Sequence, residues 1–184
     1  MKKIKERFLC VYLVMCMIFV LCPTVVYAED APGVYGDFYV VDNSTGAAVT
    51  AGNGVSYASG VLTVQRDGCR VKMKNGVTAT TQRIIFDHRP TGSGHSQIIL
   101  ENVHINASDG IAIENKQGYA DINFSGDCEL IGTVGIQCDS GGGNVHVGME
   151  NESASLLAQG TKGAAFYCQS SIGFGCYGNP VTLI

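Results

Sequence analysis

The chain has 184 residues, 46% of them hydrophobic and 15% charged, with 24 glycines, no tryptophan, eight cysteines and a formal net charge of −4. Four of the 12 basic residues and one of the 16 acidic ones fall in the first 28 positions, so the rest carries 8 basic and 15 acidic residues, a net charge of −7. No basic patch is left that could grip phosphates, which excludes nucleic acid as a partner class, and the 156 residues that follow position 28 suit a single domain.

Lys2, Lys3, Lys5 and Arg7 precede an uncharged run from Phe8 to Cys22, and Val26-Tyr27-Ala28 stands ahead of Glu29-Asp30. This pattern predicts a secretory signal peptide over 1–28. A membrane anchor fits less well, because the apolar core is short and Pro23 and Thr24 interrupt it. Leu21 before Cys22 argues against a lipoprotein signal, and no second apolar run is long enough to cross a bilayer. The expected location is secreted or at the bacterial cell surface. The short lysine-rich start is of bacterial type, so the sequons at Asn43, Asn106, Asn123 and Asn151 read as chance in an Asn- and Ser-rich chain.

Residues 29–53, with Pro32, Gly33 and Gly36, read as a lead-in or N-terminal cap, or as an edge strand. Val61–Val64, Val71-Lys72-Met73 and Ile84-Ile85-Phe86 then read as strands, separated by Arg66-Asp67-Gly68 and Lys74-Asn75-Gly76. They are expected to form opening coils of the domain that runs from 54 to 184.

From Gln97 onward a soft repeat of about two dozen residues appears. Ile98, Ile122 and Val145 are 24 and 23 positions apart; Ile105, Leu130 and Leu157 are 25 and 27; Gly110, Gly135 and Gly163 are 25 and 28. Self-similarity of this size signals a solenoid whose units cannot bury their own apolar faces. Within each unit apolar and polar residues alternate, as in Val103-His104-Ile105, Ile122-Asn123-Phe124 and Val145-His146-Val147, which is the strand period. Breaks fall at Asn106–Gly110, Ser125-Gly126-Asp127, Ser140–Asn144 and Gln159-Gly160, where Gly, Asn and Asp tolerate the positive φ of corners. No stretch after residue 28 carries a capped 3.6-residue stripe. The predicted fold is therefore all-β, a right-handed parallel β-helix (solenoid), with Ile98, Ile122 and Val145 in one column.

The cysteines left after signal removal are Cys69, Cys128, Cys138, Cys168 and Cys176, an odd number at spacings that match neither a disulfide framework nor a zinc motif. Aligning the repeats on their glycines puts Cys138 between Ile113 and Phe166, the place of an inward small hydrophobe. Buried thiols filling a core are the leading reading, with a Cys168–Cys176 bridge as the other.

The run YASGVLTVQRDGCRVKMKNGVTATTQRIIFD, followed by IILENVHINASDGIAIEN and FSGDCELIGTVGIQC, resembles the N-terminal β-helical domains, called carbohydrate-binding or adhesin-like, of secreted surface proteins of gut Firmicutes. The resemblance spans about residues 54 to 170. It implies a parallel β-helix and export to the cell envelope, and it carries no catalytic residue to any position. Cys69 and Cys128 depart from the pattern, which has polar or aliphatic residues there. Further repeats or a sorting motif in the reading frame after Ile184 would make the chain the first part of a larger adhesin.

Three constellations bear on chemistry. Asp87-His88-Arg89 through His95 gathers a carboxylate, two imidazoles and a guanidinium in a Gly-rich loop, suited to proton transfer or to clamping an acidic sugar; against this stands a plain solvated loop. Asp87, Asp109, Asp121, Asp127 and Asp139 are the carboxylates a pectic lyase or hydrolase would need, but they sit mostly at corners beside Gly or Ser, where acidic residues make Asx turns. The third is glycan binding: Tyr35, Tyr39, Tyr57, Tyr119, Tyr167 and Tyr177 offer rings, and His104, Asn106, Glu114, Asn123, Glu129, Gln137 and His146 an outward polar row that could line a long shallow groove. Outward polarity that only keeps a β surface soluble is the competing account.

The expected function is thus an exported, non-enzymatic surface module that binds carbohydrate or acts as an adhesin, the alternative being a small pectate-lyase-like lyase or hydrolase fragment. The candidate ligand-binding residues are Asp87, His88, Arg89, His95, Tyr119 and Tyr167. No catalytic residue, metal or cofactor is expected. Expected partners are a glycan or a host or neighbouring surface protein, with end-to-end self-association through uncapped coils.

Overall fold

The computed structural model describes residues 31–91, 94–117, 119–138, 145–169, 172–175 and 182–183. Residues 1–28, expected to be a signal peptide, the turn expected at Ser140–Asn144, and Asp139, Cys176 and Tyr177 lie outside the described residues.

Four short strands open the chain: β1 (Val34–Tyr35), β2 (Phe38–Asp42), β3 (Val55–Ala58) and β4 (Val61–Val64). β5 (Cys69–Met73) and β6 (Arg83–Phe86) follow. Three successive triplets come next: β7 (Ser96–Glu101), β8 (His104–Ala107) and β9 (Ile113–Asn115); β10 (Ala120–Ser125), β11 (Asp127–Gly132) and β12 (Ile136–Cys138); β13 (Val145–Met149), β14 (Ser155–Gly160) and β15 (Phe166–Cys168). β16 (Ile172–Gly175) and β17 (Thr182–Leu183) begin another round.

Each triplet visits three sheets in turn. The first sheet runs β1-β2-β5-β7-β10-β13-β16, the second β8-β11-β14-β17 and the third β3-β4-β6-β9-β12-β15. From β5 onward neighbouring strands in a sheet are parallel and one coil apart in sequence, which makes a β-solenoid of about four turns. The described residues contain no helix, and none is long and apolar enough to cross a membrane.

Period-two patterning decides which side chains go inside. On β10, Ala120, Ile122 and Phe124 are buried while Asp121 and Asn123 point out. Stacking then builds columns: Cys69, Ile98, Ile122 and Val147 in the first sheet, Leu62, Ile84, Ile113 and Ile136 in the third. One coil alone leaves these residues wet; the coil above and the coil below cover them.

The columns correct three expected alignments. Val147, not Val145, stacks on Ile122, and Val145 stacks on Ala120. Cys138 stacks on Asn115 and Cys168, two places along from Ile113 and Phe166. A two-residue offset keeps each side chain on its expected inward face. Leu157 is displaced by one residue instead, so Ala158 takes the inward slot above Leu130 and Leu157 pairs with the outward Glu129. The cause is turn length: Gly126 alone joins β10 to β11, whereas five residues join β13 to β14, and an odd slip flips the face.

The corners use residues that accept a left-handed backbone. Asn102 (φ 50°) and Gly126 (φ 67°) occupy the same corner on successive coils, and the Asn102 Oδ1 accepts the Asp127 N–H at 3.1 Å. At the N-terminal end, β2 runs antiparallel to β5, and β3 and β4 form a hairpin through Ser59 (φ 51°) and Gly60 (φ 77°), a two-residue turn with both φ positive. β1 is the edge strand of the first sheet.

Candidate functional site

The predicted site residues fall into three places. Asp87 and His88 follow β6 at the corner between the third and first sheets. The Asp87 carboxylate accepts the Gln65 Nε2 at 3.2 Å from the coil before and the Gln117 Nε2 at 2.6 Å from the coil after. It ties three coils together at this corner. His88 Nδ1 lies 2.6 Å from the Oγ of Ser96, which is fully buried at the start of β7. Arg89 is exposed. The loop therefore spends its carboxylate and one imidazole nitrogen on holding the corner, and its guanidinium stands in solvent.

Tyr167 lies elsewhere. It is on the outer face of β15 in the third sheet, in register with Gln137 and 47% exposed. The structure does not join it to the loop residues. The outward polar residues are also divided: His104, Asn106 and Glu129 face out from the second sheet, Glu114 and Gln137 from the third, Asn123 and His146 from the first. They line three faces rather than one groove.

His95 and Tyr119 do come together, at the edge where the chain enters the first sheet. Both immediately precede a strand, on successive coils, and the Ser96 N–H donates to the Tyr119 carbonyl at 2.9 Å. Their rings meet edge to face with centroids 6.1 Å apart. Tyr119 holds φ 47°, an uncommon conformation for a bulky residue.

Two further residues complete this cluster. Asp121 is the first outward residue of β10, and His146, in register with it on β13, points the same way. Asp121 Oδ1 lies 3.0 Å from His95 Nδ1 and 3.1 Å from His146 Nδ1. The two imidazoles stack with centroids 4.6 Å apart and 28° between planes. Gly173, opposite His146 on the next coil, has no side chain to displace the ring; a Cβ there would sit 2.7 Å from His146 Cδ2. Among the described residues this is the group of His, Cys and acidic side chains whose ligating atoms could converge on one ion, all lying within 4.8 Å of one another.

A charged network covers the far end of the same face. Arg70 Nη1 is 2.7 Å from Glu101 Oε2 and 3.0 Å from Glu150 Oε2, its Nη2 also pairs with Glu150, and Lys72 Nζ is 2.8 Å from Glu101 Oε1. The Arg70 hydrogen bond holds the Glu150 carboxyl below its ordinary range. Burial works to raise the Glu101 carboxyl, but the hydrogen bonds from Lys72 and Arg70 outweigh it and the net shift is downward.

Cys69 and Cys128 are not activated nucleophiles. Burial pushes the Cys69 and Cys128 thiols up to about 11, so neither is a thiolate at neutral pH. Cys138 is buried as well, and Cys168 is half-buried. These sulfurs fill the core, in line with the leading reading; the Cys168–Cys176 alternative involves a residue outside the described set.

Sequence reasoning singled out His95 and Tyr119 but not Asp121 and His146 as their partners. The signal was present in the repeat: Asp121 follows His95 by 26 positions and His146 follows Asp121 by 25, one coil each. No family model, no curated protein and no solved structure matches the chain.

Proposed function

We propose that the chain is an exported, non-enzymatic surface module that binds carbohydrate through the edge of its first sheet, with His95, Tyr119, Asp121 and His146 as the contact residues. The observation that carries this reading is the cluster itself. Two stacked imidazoles and a tyrosine ring give flat apolar surface for a sugar face, and the Asp121 carboxylate beside them accepts from hydroxyls. Export rests on the N-terminal 28 residues, and the resemblance to adhesin-like surface domains points to the same role.

The positions of the carboxylates support binding over cleavage. Glycoside hydrolysis needs two carboxyl groups across one bond, about 5 to 10 Å apart. Asp87 is committed to Gln65 and Gln117, Asp127 accepts from Ser155 in the second sheet, Asp121 lies between two histidines in the first, and Asp109 follows β8 at another corner. These four aspartates belong to different pieces of the surface, and the two carboxylates that do stand close together, Glu101 and Glu150, are both tied to Arg70.

A glycan array run beside an assay for unsaturated uronide release separates the two functions. Binding without product is expected, and Tyr119→Asn, which keeps a residue tolerant of the left-handed backbone but removes the ring, is expected to weaken binding about tenfold, the effect of about 1.4 kcal/mol. Turnover that disappears on changing Asp87, His88 or Arg89 would replace the binding module with an enzyme.

A further inference from the structure

We propose that His95, Asp121 and His146 form a surface site for a divalent transition metal of the zinc class, clipping three successive coils of the solenoid together. The inference does not depend on whether this face takes a sugar.

The chemistry of the donors selects the ion. Two imidazole nitrogens and one carboxylate oxygen are the donor set of zinc and its neighbours; calcium and magnesium take oxygen ligands almost throughout. The geometry is close to what such an ion needs. Ligands at about 2.0–2.2 Å in a tetrahedron stand about 3.3 Å from one another, and the Asp121 oxygen is 3.0 and 3.1 Å from the two Nδ1 atoms. An ion entering between them would replace the His95–Asp121 hydrogen bond and the Asp121–His146 ion pair with three coordinate bonds from atoms that already lie within 4.8 Å of one another.

The scaffold holds the donors in place. Asp121 and His146 sit on adjacent parallel strands in strict register. His95 leads into the neighbouring strand on the other side, fixed through the bond between Ser96 and Tyr119, and the Tyr119 ring packs on its edge. Gly173 leaves the space that the His146 imidazole fills. Three protein donors leave a fourth position, and His146, with 54% of its side chain exposed, marks the side on which that position faces solvent. The site is open, able to take one further oxygen or nitrogen ligand from outside.

The carboxylate–histidine pair of the second sheet, His104 and Glu129, provides an internal control. Its atoms are 3.8 Å apart and it has no third donor within reach among the described residues.

The test is calorimetric titration of the untagged, reduced protein with Zn2+, with circular dichroism to follow folding. One equivalent is expected to bind the wild type, and the same protein is expected to take no calcium at equal concentration. Losing only a group that hydrogen-bonds a ligand costs zinc sites 10- to 100-fold in affinity, so His95→Gln with His146→Gln is expected to weaken binding at least tenfold with an unchanged β spectrum, and His104→Gln to leave it unchanged. Co2+ in place of zinc is expected to give the visible bands of imidazole and carboxylate coordination. Absence of saturable zinc binding in folded wild type overturns the proposal. So does undiminished binding in the double variant, or a thiolate-to-cobalt charge-transfer band, which would put the ion on a cysteine.

Discussion

Asn115 is the residue at which the core departs from its own chemistry. It points inward from β9 between Phe86 and Cys138, fully buried, and neither its Oδ1 nor its Nδ2 has a hydrogen-bond partner among the described residues. A buried polar group left unpaired costs about 1–3 kcal/mol, while an apolar group of the same shape loses nothing. Asn115→Leu is therefore expected to raise stability by about 1–2 kcal/mol, read as a higher urea midpoint at unchanged slope. A lower midpoint would mean that the amide is satisfied by a partner such as a buried water. The alternation Ile113-Glu114-Asn115 puts its side chain inward, but the lack of a partner there is not legible in the sequence.

At the level of elements, the corner between the second and third sheets is closed by backbone. Gly132 ends β11 and Gly160 ends β14, in register on successive coils. A Cβ on Gly132 would meet the Val134 carbonyl oxygen at 2.5 Å and the Ala112 nitrogen at 2.7 Å, neither of which can move without its coil. Gly132→Ala is expected to destabilise by about 1–3 kcal/mol, the usual range for overpacking. Gly94→Ala, in open space, is expected to stay within about 0.5 kcal/mol. Equal thermal midpoints for the two variants would show that the corner relaxes. Several strands were legible at this scale: Val61–Val64 and the cores of β10 and β13 stand where alternation puts them, and the Gly126 corner where its dipeptides put it. The slip at Leu157 was not, because a turn of five residues carries no mark in the sequence of how many of them the strand will absorb.

For the whole molecule, acid is the revealing perturbation. Side-chain hydrogen bonding by Ser44, then the Thr45 N–H and hydroxyl, lowers the Asp42 carboxyl to about 2, and Arg66 lies 2.5 Å away. Glu101 and Glu150 are also lowered by the Arg70 and Lys72 network. Each folded-state value lies below its unfolded one, so the stability these groups give is complete above about pH 4.5 and is lost as pH falls, down to about 2 for Asp42. The thermal midpoint is expected to fall steadily over that window, and less steeply in Asp42→Asn and Glu150→Gln. An acid limb of equal slope in wild type and both variants would remove these carboxylates from the account. Arg70 matters at this scale because it binds Glu101 one coil away and Glu150 three coils away. It fastens the first coil to the fourth.

The amino-acid order by itself determined that this is a β-solenoid, because a two-residue alternation inside a unit of about two dozen residues can bury its apolar half only by stacking. It also brought His95 and Tyr119 to notice, since charged and aromatic residues beside corners stand out against a glycine-rich background. What only the tertiary structure decided is register. A parallel sheet sets residues one coil apart side by side, and whether the offset is 23, 25 or 27 positions depends on how each corner closes around its backbone. That choice separated Tyr167 from the loop, tied Asp87 to two glutamines, and placed Asp121 between His95 and His146.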